Sequence, residues 1–385
     1  MSRRTLRAAA TALLAAVALV ACAPPATSPQ SSPAATASTS TPTPTPTPDP
    51  VETAVDRMST AEQAASVVMG HVPGTDPVVL AQYMASGLGG FILMGDNIIG
   101  GPENVRAVTG ALTIDPNLPP LIAIDQEGGV VSRLPWDDLP AGRGLQSSDA
   151  AAVQSAFRAR ADLVAAVGAN VNFGVIADVP MGPSSFIASR ALGTDPDSAA
   201  MRVRAAVQGE KGIVLSTLKH FPDHGAAAGD SHHLIPTTDV SLTQWRSADA
   251  VPFIAGIDAG AEVLMFGHLA YTAVDAAPAS LSARWHEIAR DDLGFDGLMI
   301  TDDLGMLSAS ENPAYADPVK NAVDALVTGN DMVLMIAGAT SATAPAIVAG
   351  IVTAVGDGRL PAARLRDAAE HVMTLRMQLA DAANG

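Results

Sequence analysis

The chain has 385 residues, 48% of them hydrophobic and 16% charged, which suits a large buried core and excludes intrinsic disorder over most of its length. Its net charge is −17 and no Lys/Arg cluster follows the N-terminus, which argues against a nucleic-acid surface. The one cysteine, Cys22, excludes an intramolecular disulfide and any Cys-based zinc cluster.

At the N-terminus, Arg3, Arg4 and Arg7 make a positive start, and Ala8 to Val20 is an apolar stretch short for a membrane span. Leu19-Val20-Ala21-Cys22 then resembles a bacterial lipobox. Residues 1–21 therefore read as a lipoprotein signal peptide, with Cys22 the lipidated N-terminus of an extracytoplasmic, membrane-anchored protein. Residues 22–50 follow as a linker of Pro, Thr, Ser and Ala, which cannot bury a core and tends toward polyproline II. At about 3.1 Å per residue such a spacer holds a domain up to roughly 80 to 90 Å from a membrane.

Residues 51–385 show no second low-complexity break, so a single domain is expected. Short apolar runs predict eight strands: Ser66–Met69, Gly89–Met94, Leu121–Asp125, Asn170–Phe173, Ile213–Leu218, Glu262–Phe266, Leu298–Thr301 and Met332–Ile336. Between them, helices are clearest at Asp149–Val167, Ser198–Glu210, Thr243–Asp258, Val319–Leu326 and Pro361–Leu379. Near-continuous apolar strands alternating with helices imply a parallel sheet buried on both faces. Eight such units suggest an α/β fold of the (β/α)8 TIM-barrel type. No GxGxxG turn follows a strand, as an open dinucleotide-binding sheet would require.

Chemistry in a (β/α)8 barrel sits at the carboxyl ends of the strands. Asp125 and Glu127 follow the third predicted strand, Asp178 the fourth, Lys219 and His220 the fifth, His268 the sixth, and Asp302 and Asp303 the seventh. Polar residues thus gather at one rim. The densest run is Lys219 to His233, which holds four of the eight histidines, and Pro222, Gly225 and Gly229 mark it as a loop.

Five motifs in order resemble family 3 glycoside hydrolases, in the branch of bacterial β-N-acetylhexosaminidases acting on cell-wall sugars. They are Asp125-Gln126-Glu127-Gly128-Gly129, Ser189-Arg190-Ala191-Leu192-Gly193, Lys219-His220-Phe221-Pro222, Asp230-Ser231-His232 and Thr301-Asp302-Asp303-Leu304. The match covers residues 55 to 375. The resemblance implies a retaining exo-glycosidase, with Asp302 as nucleophile and His232, oriented by Asp230, as acid and then base. It also implies that Asp125, Arg133, Arg190, Lys219 and His220 hold the terminal sugar, with His224 shaping the loop. Asp303 is expected to cap the following helix, and it becomes the alternative nucleophile if the strand register slips by one. Larger members take their acid from a second domain; here it is expected from a barrel loop. No metal or organic cofactor is implied. The expected partner is a carbohydrate of the GlcNAc-MurNAc type, and a monomer is expected. Two departures stand out: the family often has glycine at Asp223, and often arginine at Val130.

Other readings remain open on the residues alone. His220, His224, His232, His233, Asp223 and Asp230 could crowd around a metal ion, although Lys219 is awkward beside one. A sugar-binding lipoprotein would suit the anchor and the acidity. On the same fold, a β-glucosidase, or a phosphorylase in which phosphate attacks the glycosyl-enzyme, keeps the same nucleophile. His268 either lines the pocket or satisfies the core.

Overall fold

The computed structural model describes residues 49–229 and 234–384, and Cys22, Asp230, Ser231, His232 and His233 lie outside them. The described chain opens with a helix at Pro50–Val55, one residue inside the stretch read as linker; the Asp49 side chain accepts from Val51 N and Pro50 takes the first turn. No helix among the described residues is long and apolar enough to cross a membrane.

Eight parallel strands close into a barrel: β1 Val68–Gly70, β2 Gly90–Leu93, β3 Leu121–Ile124, β4 Val171–Ile176, β5 Leu215–Phe221, β6 Val263–Phe266, β7 Leu298–Asp303 and β8 Met332–Leu334. Each pairs with its neighbours in sequence, and β8 returns to β1 through Val68 opposite Val333. Helices run between the strands, so both strand faces are covered and the apolar runs need no polar alternation.

All eight expected strands are present, with shifted ends. Ser66 closes the helix Thr60–Ser66 rather than opening β1. β5 runs on to Phe221 and β7 to Asp303, so Lys219, His220, Asp302 and Asp303 sit within strands instead of after them. Ladder pairing carries into the polar residues and fixes their backbones. The helix expected at Thr243–Asp258 is two helices, Leu242–Ser247 and Ala250–Ala259. Pro252 offers no N–H and its ring would clash with the Ala248 carbonyl, which breaks a continuous helix there. Two small pairs were not expected: a hairpin of Gln126–Gly128 with Val131–Ser132, and a parallel pair of Thr237–Thr238 with Ala270–Tyr271.

One packing feature bears directly on the rim. Phe221, the last residue of β5, is ringed edge-on by Trp245, Phe253, Phe266 and Trp285, with centroid distances from 4.9 to 5.8 Å. These rings bury the end of β5 in a rigid apolar collar.

Candidate active site

A cavity of about 670 Å³ opens at the carboxyl end of the barrel. It is lined by Asp125, Glu127, Arg133, Arg190, Lys219, His220, His224, Asp302 and Asp303, with Met94, Phe186, Met306 and Ile336 among its apolar walls. Residues from β3, β4's following loop, β5 and β7 meet there, as the rim argument expected.

The floor is a chain of paired charges. Lys219 Nζ lies 2.7 Å from Asp125 Oδ1 and 2.8 Å from Glu127 Oε1. Arg133 Nη2 lies 3.2 Å from the other Asp125 oxygen. Arg190 grips Glu127 with both ends of its fork, Nε to Oε2 at 2.8 Å and Nη2 to Oε1 at 2.7 Å. Burial alone would raise the Asp125 carboxyl, but Lys219 and Arg133 outweigh it and hold it at about 2. Burial likewise opposes ionisation of Glu127, and Lys219 and Arg190 bring it below the ordinary range. Desolvation works against the Lys219 cation, yet Asp125 and Glu127 raise it. Arg133 and Arg190 are therefore parts of the cavity floor rather than surface ion-pair partners.

The hairpin that presents Glu127 is itself pinned. Gln126 Oε1 accepts from Arg133 N and Leu134 N, both at 2.9 Å, and its Nε2 donates to Ser132 Oγ and Asp137 Oδ2. Asp137 is paired with Arg160 at 2.7 Å, both side chains being fully buried. Gly128 has φ +82°, and a Cβ there would sit 2.3 Å from Arg160 Nη2, so glycine is required.

His220 is held from both sides. Its Nδ1 lies 2.8 Å from Asp178 Oδ2, and Arg190 Nη2 lies 3.4 Å from its Nε2. Asp178 also accepts from the backbone N–H groups of His220 and His224. Burial would raise Asp178, but the His220 contacts and then His224 keep it below the usual carboxylate range. The His224 ring lies 5.7 Å from that of His220 and 5.5 Å from Phe186; burial, then His220, lower its pKa.

The structure separates the two aspartates at the end of β7. Asp302 lines the cavity, and the Asp303 N–H donates to its Oδ1 at 2.8 Å. Burial would raise its carboxyl, but His220, His268 and Lys219 hold it below the ordinary value, so it is a carboxylate at neutral pH. The Asp303 carboxyl instead accepts from Gly305 N at 2.9 Å, Ile336 N at 2.7 Å and Ala337 N at 2.8 Å. It caps the helix Leu304–Ala309 and ties β7 to the chain after β8. Its oxygens are occupied, and the register does not slip.

Other predicted positions resolve differently. His268 is buried: its Nε2 donates to the Asp303 carbonyl at 2.9 Å, and Ser280 Oγ is 2.7 Å from its Nδ1. It satisfies the core and backs β7. Val130 is 74% exposed at the cavity mouth. Asp223, where the family often has glycine, is turned inward and fully buried. The metal-site reading finds His220 Nδ1 engaged by Asp178, and Asp223 Oδ1 engaged by Val179 N and Gly225 N. Among the described residues, the one group spaced like metal ligands is Asp331, Asp367 and His371, before β8 at the opposite end of the barrel, and Arg364 already pairs with both carboxylates. Glu127, within the first motif, and Asp178 are expected at the rim from the sequence, which gives them no role. The signal for them was their place after β3 and β4, which says nothing of their bidentate and imidazole partners.

Three comparisons bear on this geometry. The profile of the glycosyl hydrolase family 3 N-terminal domain matches residues 77–375. A β-hexosaminidase of Pseudomonas aeruginosa is 37% identical over 255 residues, covering 64% of this chain and 75% of that one. A solved β-N-acetylhexosaminidase from Beutenbergia cavernae is similar with a TM-score of 0.74 and 29% identity, covering 83% of this chain and 98% of that one. A family 3 β-N-acetylglucosaminidase from Paenibacillus gives a TM-score of 0.78 and 27% identity over 85% of this chain; the chain spans 64% of that protein's length.

Proposed function

The chain belongs to glycosyl hydrolase family 3, and on that premise we propose that it is a retaining exo-β-N-acetylglucosaminidase. The observation that carries the reading is the cavity itself. A carboxylate, Asp302, is kept ionised beside a floor of Asp125, Arg133, Lys219 and Arg190, whose charged groups suit the hydroxyls of one terminal sugar. The relatives named as β-hexosaminidases and β-N-acetylglucosaminidases support N-acetylglucosamine as that sugar.

In the proposed mechanism, an Asp302 oxygen attacks the anomeric carbon as the bond to the leaving oxygen breaks. His232, oriented by Asp230, gives that oxygen a proton. The glycosyl-aspartate is then attacked by water, from which His232 removes a proton, and the sugar leaves with its configuration retained. His220, fixed by Asp178 and Arg190, positions the ring with Lys219 and Asp125.

The natural substrate in this reading is the terminal N-acetylglucosamine of muropeptides released from the cell wall. The signal-like segment 1–21, Cys22 and the Pro/Thr-rich spacer support it, because they would keep the enzyme outside the cytoplasm and tethered beside its polymer.

The test is turnover of nitrophenyl β-N-acetylglucosaminide and the matching β-glucoside, each with and without inorganic phosphate. Asp302→Ala is expected to lower kcat by about 10³-fold or more while the melting temperature is kept, because no other carboxylate of the cavity is free to attack. Near-normal turnover in that variant moves the nucleophile elsewhere.

A further inference from the structure

The turn after β4 and the root of the loop after β5 are joined by two carboxylates and one backbone hydrogen bond. Val179 N donates to Asp223 Oδ1 at 3.0 Å, His224 N to Asp178 Oδ1 at 2.7 Å, and Met181 N to the Gly225 carbonyl at 3.3 Å. Asp223 Oδ1 also accepts from Gly225 N at 2.8 Å. The two segments lie so close that a Cβ on Gly225 would sit 2.0 Å from the Val179 carbonyl oxygen. Tyr271 hydroxyl donates to the Asp223 carbonyl at 3.2 Å, and Trp245 Nε1 to the Pro222 carbonyl at 2.8 Å.

At the centre of this seam, Asp223 is fully buried and does not line the cavity. It touches no substrate. Its Oδ2 has no hydrogen-bond partner among the described residues. Burial, followed by the facing carboxyls of Asp178 and Asp249, pushes its carboxyl well above the ordinary range. The other titratable groups around it are the His220 imidazole, which contacts Asp178, the His224 imidazole, whose ring lies 5.7 Å from that of His220, and the Tyr271 hydroxyl, which contacts Asp249. A neutral acid there still offers Oδ1 to two N–H groups, which is all the seam requires. The family often has glycine at this position, which has no side chain to make the tie.

We propose that Asp223 is a positioning residue: its carboxyl locks the Asp178 turn to the loop root and thereby fixes the His220 imidazole in the substrate cavity. The effect on turnover rests on the glycosidase reading above; the effect on the imidazole does not.

The experiment compares Asp223→Ala and Asp223→Asn in the full chain by kcat and KM on nitrophenyl β-N-acetylglucosaminide and by melting temperature. It also follows the ring ¹⁵N–¹H signals of His220, assigned with a His220→Asn variant. Asp223→Asn keeps the Oδ1 acceptor and is expected to hold kcat/KM and the ring signals close to wild type. Asp223→Ala is expected to lose about tenfold to a hundredfold in kcat/KM, as a side chain displaced by an ångström would, and to shift the ring signals. Where the alanine variant does not fold, Asp223→Gly, the residue common in the family, takes its place with the same expectation. The proposal is overturned if the alanine or glycine variant keeps wild-type kcat/KM and ring signals, or if a folded Asp223→Asn is as impaired as they are. A wild-type chain inactive on the glycoside would sink the functional reading, while the ring signals would still report the seam.

Discussion

At the residue scale, the cavity floor alternates in sign along Arg133, Asp125, Lys219, Glu127 and Arg190, so each buried charge has at least one opposite partner. Such pairs contribute little net stability, because desolvation offsets most of their attraction. Their value is positional: each charge fixes its neighbour's geometry, so that in the proposed reading the floor meets sugar hydroxyls without reorganising. The acid/base of the proposed mechanism is His232. His232→Ala is expected to lower kcat/KM on natural glycosides by about 10² to 10⁴-fold, the usual worth of a placed proton donor. Nitrophenyl substrates, whose leaving group needs no proton, are expected to keep most of their first-step rate, read as a burst of nitrophenol. Equal losses on both substrate classes would remove His232 from the acid role.

At the element scale, β5 carries the most consequence. Its polar end, Lys219-His220, faces the cavity, while Phe221 is clasped by two tryptophans and two phenylalanines beneath. The collar converts aromatic packing into the placement of an ammonium and an imidazole. Phe221→Ala is expected to cost about 3 to 5 kcal/mol, the range for emptying a buried aromatic site. A denaturant midpoint measures that loss, and KM is expected to rise with it as Lys219 and His220 lose their backing. Unchanged KM in a destabilised variant would show that the strand holds its end without the collar. The split of Thr243–Asp258 belongs to the same scale: periodicity read across Pro252, where the ring's clash with the Ala248 carbonyl decides the outcome.

At the scale of the whole molecule, buried carboxyls pull the pH dependence of stability in opposite directions. Asp125, held at about 2 by Lys219 and Arg133 against burial, contributes stability at neutral pH that is lost as the pH falls below about 4 toward 2. Glu210 does the reverse. Burial pushes it up to about 8, although Asn172 Nδ2 donates to it at 2.6 Å. The folded chain therefore keeps a proton that the unfolded chain has lost above about 4.5, and stability declines as pH rises from there to about 8. Glu210→Gln is expected to remove that decline, melting above wild type at pH 8 and with no advantage at pH 4. A difference of the same size at both pH values would show that packing, and not the proton, is responsible.

The sequence alone determined the barrel and the rim. Eight apolar runs and the polar residues at their carboxyl ends are local patterns, fixed by strand periodicity and by where a parallel strand must stop being buried. Through the resemblance to family 3 glycoside hydrolases it also singled out Asp302 and the floor residues Asp125, Arg133, Arg190, Lys219 and His220. Only the tertiary structure decided their partners. The bond from Asp178 to His220, the fork of Arg190 on Glu127 and the tie of Asp303 to the chain after β8 all join segments far apart in the chain. The inward turn of Asp223 is of the same kind, since a charged loop residue and a buried clamp are spelled alike. Which way a side chain faces is set by the closure of the barrel, when distant strand ends are brought within hydrogen-bonding reach.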